Sequence, residues 1–253
     1  MPVRSSRHRD TRRRRHQYLG AALLLALLPA TPASAQTGTT GDLTQLSLET
    51  LMDLEVTSVS KRPQRLADSA ASVYVLTGDD IRRSGVSTIP DALRLVPGLH
   101  VGQIDSNKWS VSVRGFSGRF ANKLLVMVDG RSVYSPFFSG VFWNLVSTPL
   151  DAVDRIEIVR GPGAALWGAN AVNGVINIIT KSSTVTQGGQ LTVSTGTTDL
   201  GSTALRYGGA LGGTATYRLD VSGLHRSPSN VSAAAQGADR WTVGSGGLRA
   251  DWH

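Results

Sequence analysis

Arg155 to Lys181 reads RIEIVRGPGAALWGANAVNGVINIITK. A mostly apolar run, Ile156 to Val159, interrupted by Glu157, breaks at Arg160-Gly161-Pro162-Gly163, and a second mostly apolar run follows, Val175 to Thr180. A strand, a glycine-rich bend and another strand is how a phosphate-binding loop begins, where glycines bring backbone amides against the anion. The details do not fit that chemistry. A dinucleotide fingerprint needs G-x-G-x-x-G/A, whereas Gly163 is followed by Ala164, Ala165 and Leu166. The G-x-x-x-x-G-K-[ST] pattern does not occur. His100, His225 and His253 stand apart without metal-ligand spacing. Gly115–Gly118 (GFSG) lacks the last glycine of a nucleophile elbow, because Arg119 occupies that place. With no cysteine there is neither thiolate chemistry nor a disulfide framework. The sequence therefore offers no catalytic residue, no metal site and no cofactor site.

The elements that carry the bend come next. Three threonines are followed by an aspartate three residues later, Thr77/Asp80, Thr88/Asp91 and Thr148/Asp151. Each hydroxyl can cap a helix start, and each aspartate favours the positive helix end. Short helices are expected at Asp79–Arg83, Pro90–Leu95 and Pro149–Val153. Strands are expected at Ser72–Leu76, Trp109–Gly115, Leu124–Val128, Ser132–Tyr134, Arg155–Val159 and Gly174–Thr180. Asp129-Gly130 is a two-residue hairpin signal. Strands mixed with short helices predict an α+β domain.

After Gly189 the pattern changes. Tyr217, Leu219 and Val221 alternate with Arg218, Asp220 and Ser222, and Leu248, Ala250 and Trp252 alternate with Arg249 and Asp251. Apolar-out, polar-in segments of about ten residues are the mark of an outer-membrane barrel. One sheet of a soluble sandwich gives the same alternation.

The net charge of +8 is local. Seven of the 26 basic residues and one of the 18 acids lie in residues 1–35, which leaves a near-balanced chain with no basic stripe for nucleic acid. The same stretch has the order of a cleaved secretion signal: a cluster of arginines, the apolar Tyr18 to Ala30, and Ala33-Ser34-Ala35. Gln36 to Gly41 is polar, and Leu43, Leu46, Leu51 and Leu54 follow near helical spacing.

DALRLVPGL, SVSVRGF, VMVDGRSVY and PLDAVDRIEIVRGPGAALWGANAVNGVINIITK, in this order, resemble the plug domain of TonB-dependent outer-membrane receptors of the siderophore type. Trp167 and Asn173 stand where that family often has tyrosine and glycine. The resemblance implies an α+β plug domain (a mixed sheet with short helices) followed by antiparallel strands of a truncated transmembrane β-barrel. It divides the chain into a signal at 1–35, a periplasmic segment at 36–70, the plug at 71–188 and the start of the barrel at 189–253. Glu55, Val56, Thr57, Ser58 and Val59 look like the TonB box, expected as a flexible, unpaired strand that adds to a sheet of the TonB C-terminal domain. Arg114 and Arg160 match plug arginines that meet acidic side chains on the inner barrel wall. Loops at Ile104–Lys108 and Phe116–Asn122 are expected to face the ligand, while the aromatics of Ser135–Trp143 suit either a site or the core. The implied function is energised uptake across the outer membrane, without bond breaking, of an iron-siderophore complex or a similar scarce ligand. A plug-like soluble periplasmic module is the alternative. Since 64 residues after Gly189 hold only four or five membrane strands and a plug-sized barrel needs about 22, the chain is expected to be the N-terminal part of a transporter.

Overall fold

The computed structural model describes residues 54–138, 140–146, 148–232 and 235–252. The predicted secretion signal and the leucine-patterned stretch as far as Asp53 lie outside the described residues.

Strand β1 (Glu55–Val56) pairs antiparallel with β2 (Gln64–Arg65). Strand β3 (Val73–Thr77) runs into helix α1 (Gly78–Ser84). The Asp80 amide donates to Thr77 Oγ1 at 3.2 Å, and the Thr77 amide donates to Asp80 Oδ2 at 3.0 Å, a reciprocal capping box. Helix α2 (Ile89–Leu93) is capped by Thr88 in the same way on one side, with Pro90 in its first turn. The third expected helix is a single 3₁₀ turn at Leu150–Ala152. Pro149 stands at its N-cap with no side chain closing it, and Asp151 is drawn away to accept from Thr192 Oγ1 at 2.6 Å.

Strands β4 (Leu99–Asp105) and β5 (Lys108–Val113) form a hairpin. β4 was not among the expected strands, because His100, Gly102 and Gln103 break up its apolar alternation. Strands β6 (Leu124–Val128) and β7 (Arg131–Ser132) turn through Asp129 and Gly130, both with positive φ, 48° and 77°. That is the backbone a two-residue hairpin of this type requires. Strands β8 (Val153–Val159) and β9 (Gly174–Thr180) flank the glycine-rich bend, which contains one helical turn, α3 (Ala164–Trp167).

These strands build a five-stranded sheet in the order β3-β8-β9-β6-β7. β6 and β9 run parallel and the other pairs antiparallel, so the sheet is mixed. Both of its faces are covered. Ile156, Ile158, Ile176 and Ile178 pack with Ile81, Leu93, Trp109 and Val111 from the helices and the β4–β5 hairpin. On the other face Leu125, Met127, Val159 and Val175 pack against Val59, Val73, Tyr134 and Trp167. Covering by helices on one side and an N-terminal segment on the other explains why β6 and β9 read as near-continuous apolar runs rather than alternating ones.

Beyond Gly188 come β10 (Gly188–Ser194), β11 (Asp199–Leu211), β12 (Ala215–Arg226), the short β13 (Asn230–Ser232) and β14 (Ala235–Gln236), and β15 (Trp241–Trp252). β10-β11-β12-β15 is an antiparallel sheet that does not close on itself among the described residues. Its alternation follows the predicted pattern. Arg218 and Asp220 are 4% and 7% exposed, while Leu219 and Val221 between and beside them are 46% and 59% exposed. Leu191, Leu205, Tyr207 and Leu248 share the exposed face, and the polar face packs on the mixed domain. No helix among the described residues is long and apolar enough to cross a membrane.

Candidate functional site

Three groups of residues are candidates for a functional site: the segment at 55–59, the two predicted arginines, and the seam where the four-stranded sheet, here called the wall, meets the mixed domain.

The segment at 55–59 is not the free strand expected from composition. Glu55 pairs with Arg65 and Val56 with Gln64, and the Leu66 amide donates to Leu54 O at 2.8 Å. Val56 and Ser58 are fully buried. The Thr57 and Ser58 amides both donate to Glu157 Oε2, at 2.9 and 2.8 Å. Trp167 Nε1 donates to Ser58 O at 2.7 Å, and Lys61 Nζ sits 4.7 Å from the Trp167 ring centroid. The sequence misleads here because β-prone, polar residues do not reveal that Val56 is buried and that a turn at 58–60 brings two amides onto Glu157 of β8.

Arg160 Nη1 donates to Pro97 O at 3.0 Å and its Nη2 to Ser72 Oγ at 2.9 Å. Arg114, with φ of 56°, donates through Nη2 to Arg160 O at 3.1 Å. The two arginines are thus linked to each other and to the turn at Pro97. Neither has an ion pair with a carboxylate among the described residues, so the wall contact expected of them is not formed here.

Three arginines on the wall form the seam instead, and sequence reading did not single them out as contacts. Arg226 Nε lies 2.5 Å from Asp199 Oδ1, and its Nη2 lies 3.7 Å from Asp91 Oδ2. Its Nη1 donates to Ser106 O at 3.3 Å, and its guanidinium carbon is 5.3 Å from the Trp109 ring centroid. Arg249 Nη1 donates to Thr180 Oγ1 at 2.9 Å and lies 3.9 Å from Asp129. Arg218 donates to Lys181 O. Arg218 and Arg249 sit directly opposite on β12 and β15, where like charges repel. Each is neutralised by the aspartate two residues on, Asp220 at 2.7 Å and Asp251 at 3.0 Å. The signal was present in the sequence as R-x-D on the polar face of two alternating runs.

At one end of the seam the Ser106 amide, in the β4–β5 turn, donates to Asp239 Oδ2 at 2.8 Å, and the Ser229 amide donates to Asp239 Oδ1 at 2.9 Å. These bonds, the Ser106 amide foremost, hold the Asp239 carboxyl far below the usual carboxylate range. At the other end burial, with Arg206 adding to it, pushes the Lys181 amine below its ordinary value. Between the ends lies a cavity of about 430 Å³. Ile81, Pro90 and Trp143 line its inner side, and Ser194, Ser202 and Ser222 line the wall side.

Of the aromatics in the 116–143 region, Phe120, Phe138 and Phe142 pack edge to face, with centroids 4.6 and 4.2 Å apart for Phe120–Phe138 and Phe138–Phe142. Phe116 and Phe137 are 71% and 92% exposed, and Arg119 lies over Phe120 at 4.8 Å.

Residues 65–175 match the family model described as TonB-dependent Receptor Plug Domain. The chain is 34% identical over 146 residues to a protein named vitamin B12 transporter BtuB from Vibrio vulnificus, covering 57% of this chain and 23% of that one. It is 34% identical over 159 residues to the protein of the same name from Vibrio cholerae, covering 62% and 25%. Among solved structures, the ferripyoverdine receptor of the outer membrane of Pseudomonas aeruginosa superposes with a TM-score of 0.56 at 22% identity, over 69% of this chain and 23% of that one. The Ferric-Catecholate import receptor Fiu of E. coli K12 superposes with a TM-score of 0.51 at 25% identity, over 66% and 23%. The chain spans about a quarter of the length of the curated relatives it matches.

Proposed function

Through the plug domain at residues 65–175 this chain belongs to the TonB-dependent receptors, and on that premise we propose that it is the N-terminal part of an outer-membrane transporter. The plug blocks a pore, a scarce ligand binds on the outer side, and TonB draws on Glu55 to Val59 from the periplasm to shift the plug. The observation that carries this reading is the two-sided wall. Its inward face meets the plug through charged groups, and its outward face offers Leu205, Leu219, Val221 and Leu248 to the surroundings. Buried charge inside and apolar side chains outside suit a lumen and lipid. They do not suit a soluble periplasmic module, on which such a patch would be a liability.

The seam is a set of polar and charged contacts around a cavity rather than a continuous apolar core, so this face can slide without breaking a core. Arg114 and Arg160 keep the role of facing acidic side chains on wall strands outside the described residues. For cargo, exposed Phe116, which stands between Arg114 and Arg119 in sequence, suits an anionic, aromatic iron chelate. Relatives named as vitamin B12 transporters favour cobalamin as the second reading. Fluorescence titration with a ferric catecholate and with cyanocobalamin separates them.

The membrane reading is tested with single cysteines at Leu205 and Leu219, in a chain with no other cysteine, each carrying an environment-sensitive dye. In vesicles of outer-membrane lipid both dyes should report an apolar medium, and a dye at Thr197 should not. Aqueous emission from all three positions would favour the soluble module.

A further inference from the structure

Thr57 and Ser58 donate consecutive backbone amides to one atom, Glu157 Oε2, at 2.9 and 2.8 Å. In an extended strand successive amides point to opposite sides, so no single oxygen can take both. A carboxylate that collects two neighbouring amides holds the chain in a nest-like turn, and residues 58–60 are indeed a turn. The acceptor of Ser58 is occupied as well, by Trp167 Nε1 at 2.7 Å. Glu157 is completely buried, and its other oxygen accepts from Arg155 Nε at 2.9 Å.

We infer that Glu157 is a positioning residue that latches the 57–58 segment in a conformation unable to join a sheet, with Trp167 seating the same turn from the carbonyl side. The inference rests on the proposed role of 55–59 as the segment TonB takes. Adding a strand needs an extended backbone whose pairing edge offers a free amide and carbonyl on alternate residues, whereas here the Thr57 amide, the Ser58 amide and the Ser58 carbonyl are all taken. All three are engaged by side chains of the plug's own β8 and α3. Glu157 therefore competes with TonB for the same donors. Release of this one carboxylate turns an inward-facing turn into an available strand, while the five-stranded sheet stays intact.

The test uses the whole chain with Glu157→Gln, Glu157→Ala and Trp167→Phe, read by amide hydrogen exchange and by titration with the TonB C-terminal domain. Bonds to a charged acceptor predict about ten- to a hundredfold faster exchange at Thr57 and Ser58 in Glu157→Ala, and a smaller rise in Glu157→Gln and Trp167→Phe. Amides of β8 and β9 serve as the folding control. If Glu157→Ala loses their protection, the two conservative variants decide. Unchanged exchange at Thr57 and Ser58 in those variants, with β8 and β9 protected, overturns the latch. TonB affinity should rise about tenfold in Glu157→Gln. Faster exchange with wild-type affinity overturns the competition. Faster exchange with no TonB binding by any chain upholds the latch and removes 55–59 as the TonB segment.

Discussion

Arg226 of the wall lies 3.7 Å from Asp91 of the plug, and Asp91 is the residue whose amide Thr88 caps at the start of α2. A helix-start motif thus also supplies an anion to the seam. The Arg226 side chain is 3% exposed and is shared with Asp199 at 2.5 Å. Arg226→Ala leaves two carboxylates poorly compensated. It should lower the unfolding free energy of the chain in detergent by about 3 kcal/mol. Arg82→Ala, which removes an open pair with Asp79 on α1, should cost about 0.5 kcal/mol or less. Urea titration of both variants checks the contrast.

Asp239 keeps its charge well below the usual carboxylate range, because the Ser106 amide and Ser229 donate to it. A depressed pKa gives stability that is present above the unfolded value and lost only as pH falls through the folded one. The clasp between the β4–β5 turn and the 227–240 connection should therefore stay shut from neutral pH down through pH 4. Asp239→Asn should open it at pH 7, seen as faster exchange of the Ser106 amide.

Gly174 begins β9 where a Cβ would stand 2.5 Å from Val159 O and 3.2 Å from a Leu124 methyl. Gly174→Ala should destabilise by about 1–3 kcal/mol through overpacking. Gly161→Ala, in the bend itself, meets nothing within 4 Å and should be near neutral. Thermal unfolding of the pair tests whether close approach requires the glycine at position 174 and not the one at position 161.

Tyr134 donates its hydroxyl to Leu124 O at 2.9 Å and is pushed up to about 12 by burial. A raised folded pKa means stability that is complete below the unfolded value near 10 and lost as pH climbs towards 12. Between pH 10 and 12 the melting temperature of the native chain should fall further than that of Tyr134→Phe.

Much of this was legible in the residues. Leu124–Val128 and Gly174–Thr180 are strands at their predicted limits, because short, largely apolar runs between turn signals, too short for a helix, admit little else. Arg218 and Asp220 point inward as the alternation required. The seam was legible only in part, since alternation fixes which face a side chain takes and not which residue it meets. Arg249 reaches Thr180 across 69 positions of sequence, and no local pattern encodes that. The segment at 55–59 misled for a related reason: its partner Glu157 lies about a hundred residues away, between two isoleucines of a strand, with nothing local to say what it binds.

The central claim is that residues 55–59 are the strand by which TonB grips the plug. Calorimetric titration of the 253-residue chain with the TonB C-terminal domain tests it most directly, using wild type, Val56→Pro and Thr57→Pro. Proline removes the amide that an added strand must donate. Adjacent amides face opposite sides of a strand, so the account predicts saturable one-to-one binding by wild type and its loss in whichever proline variant removes the amide that faces TonB. Equal binding by all three chains would contradict it.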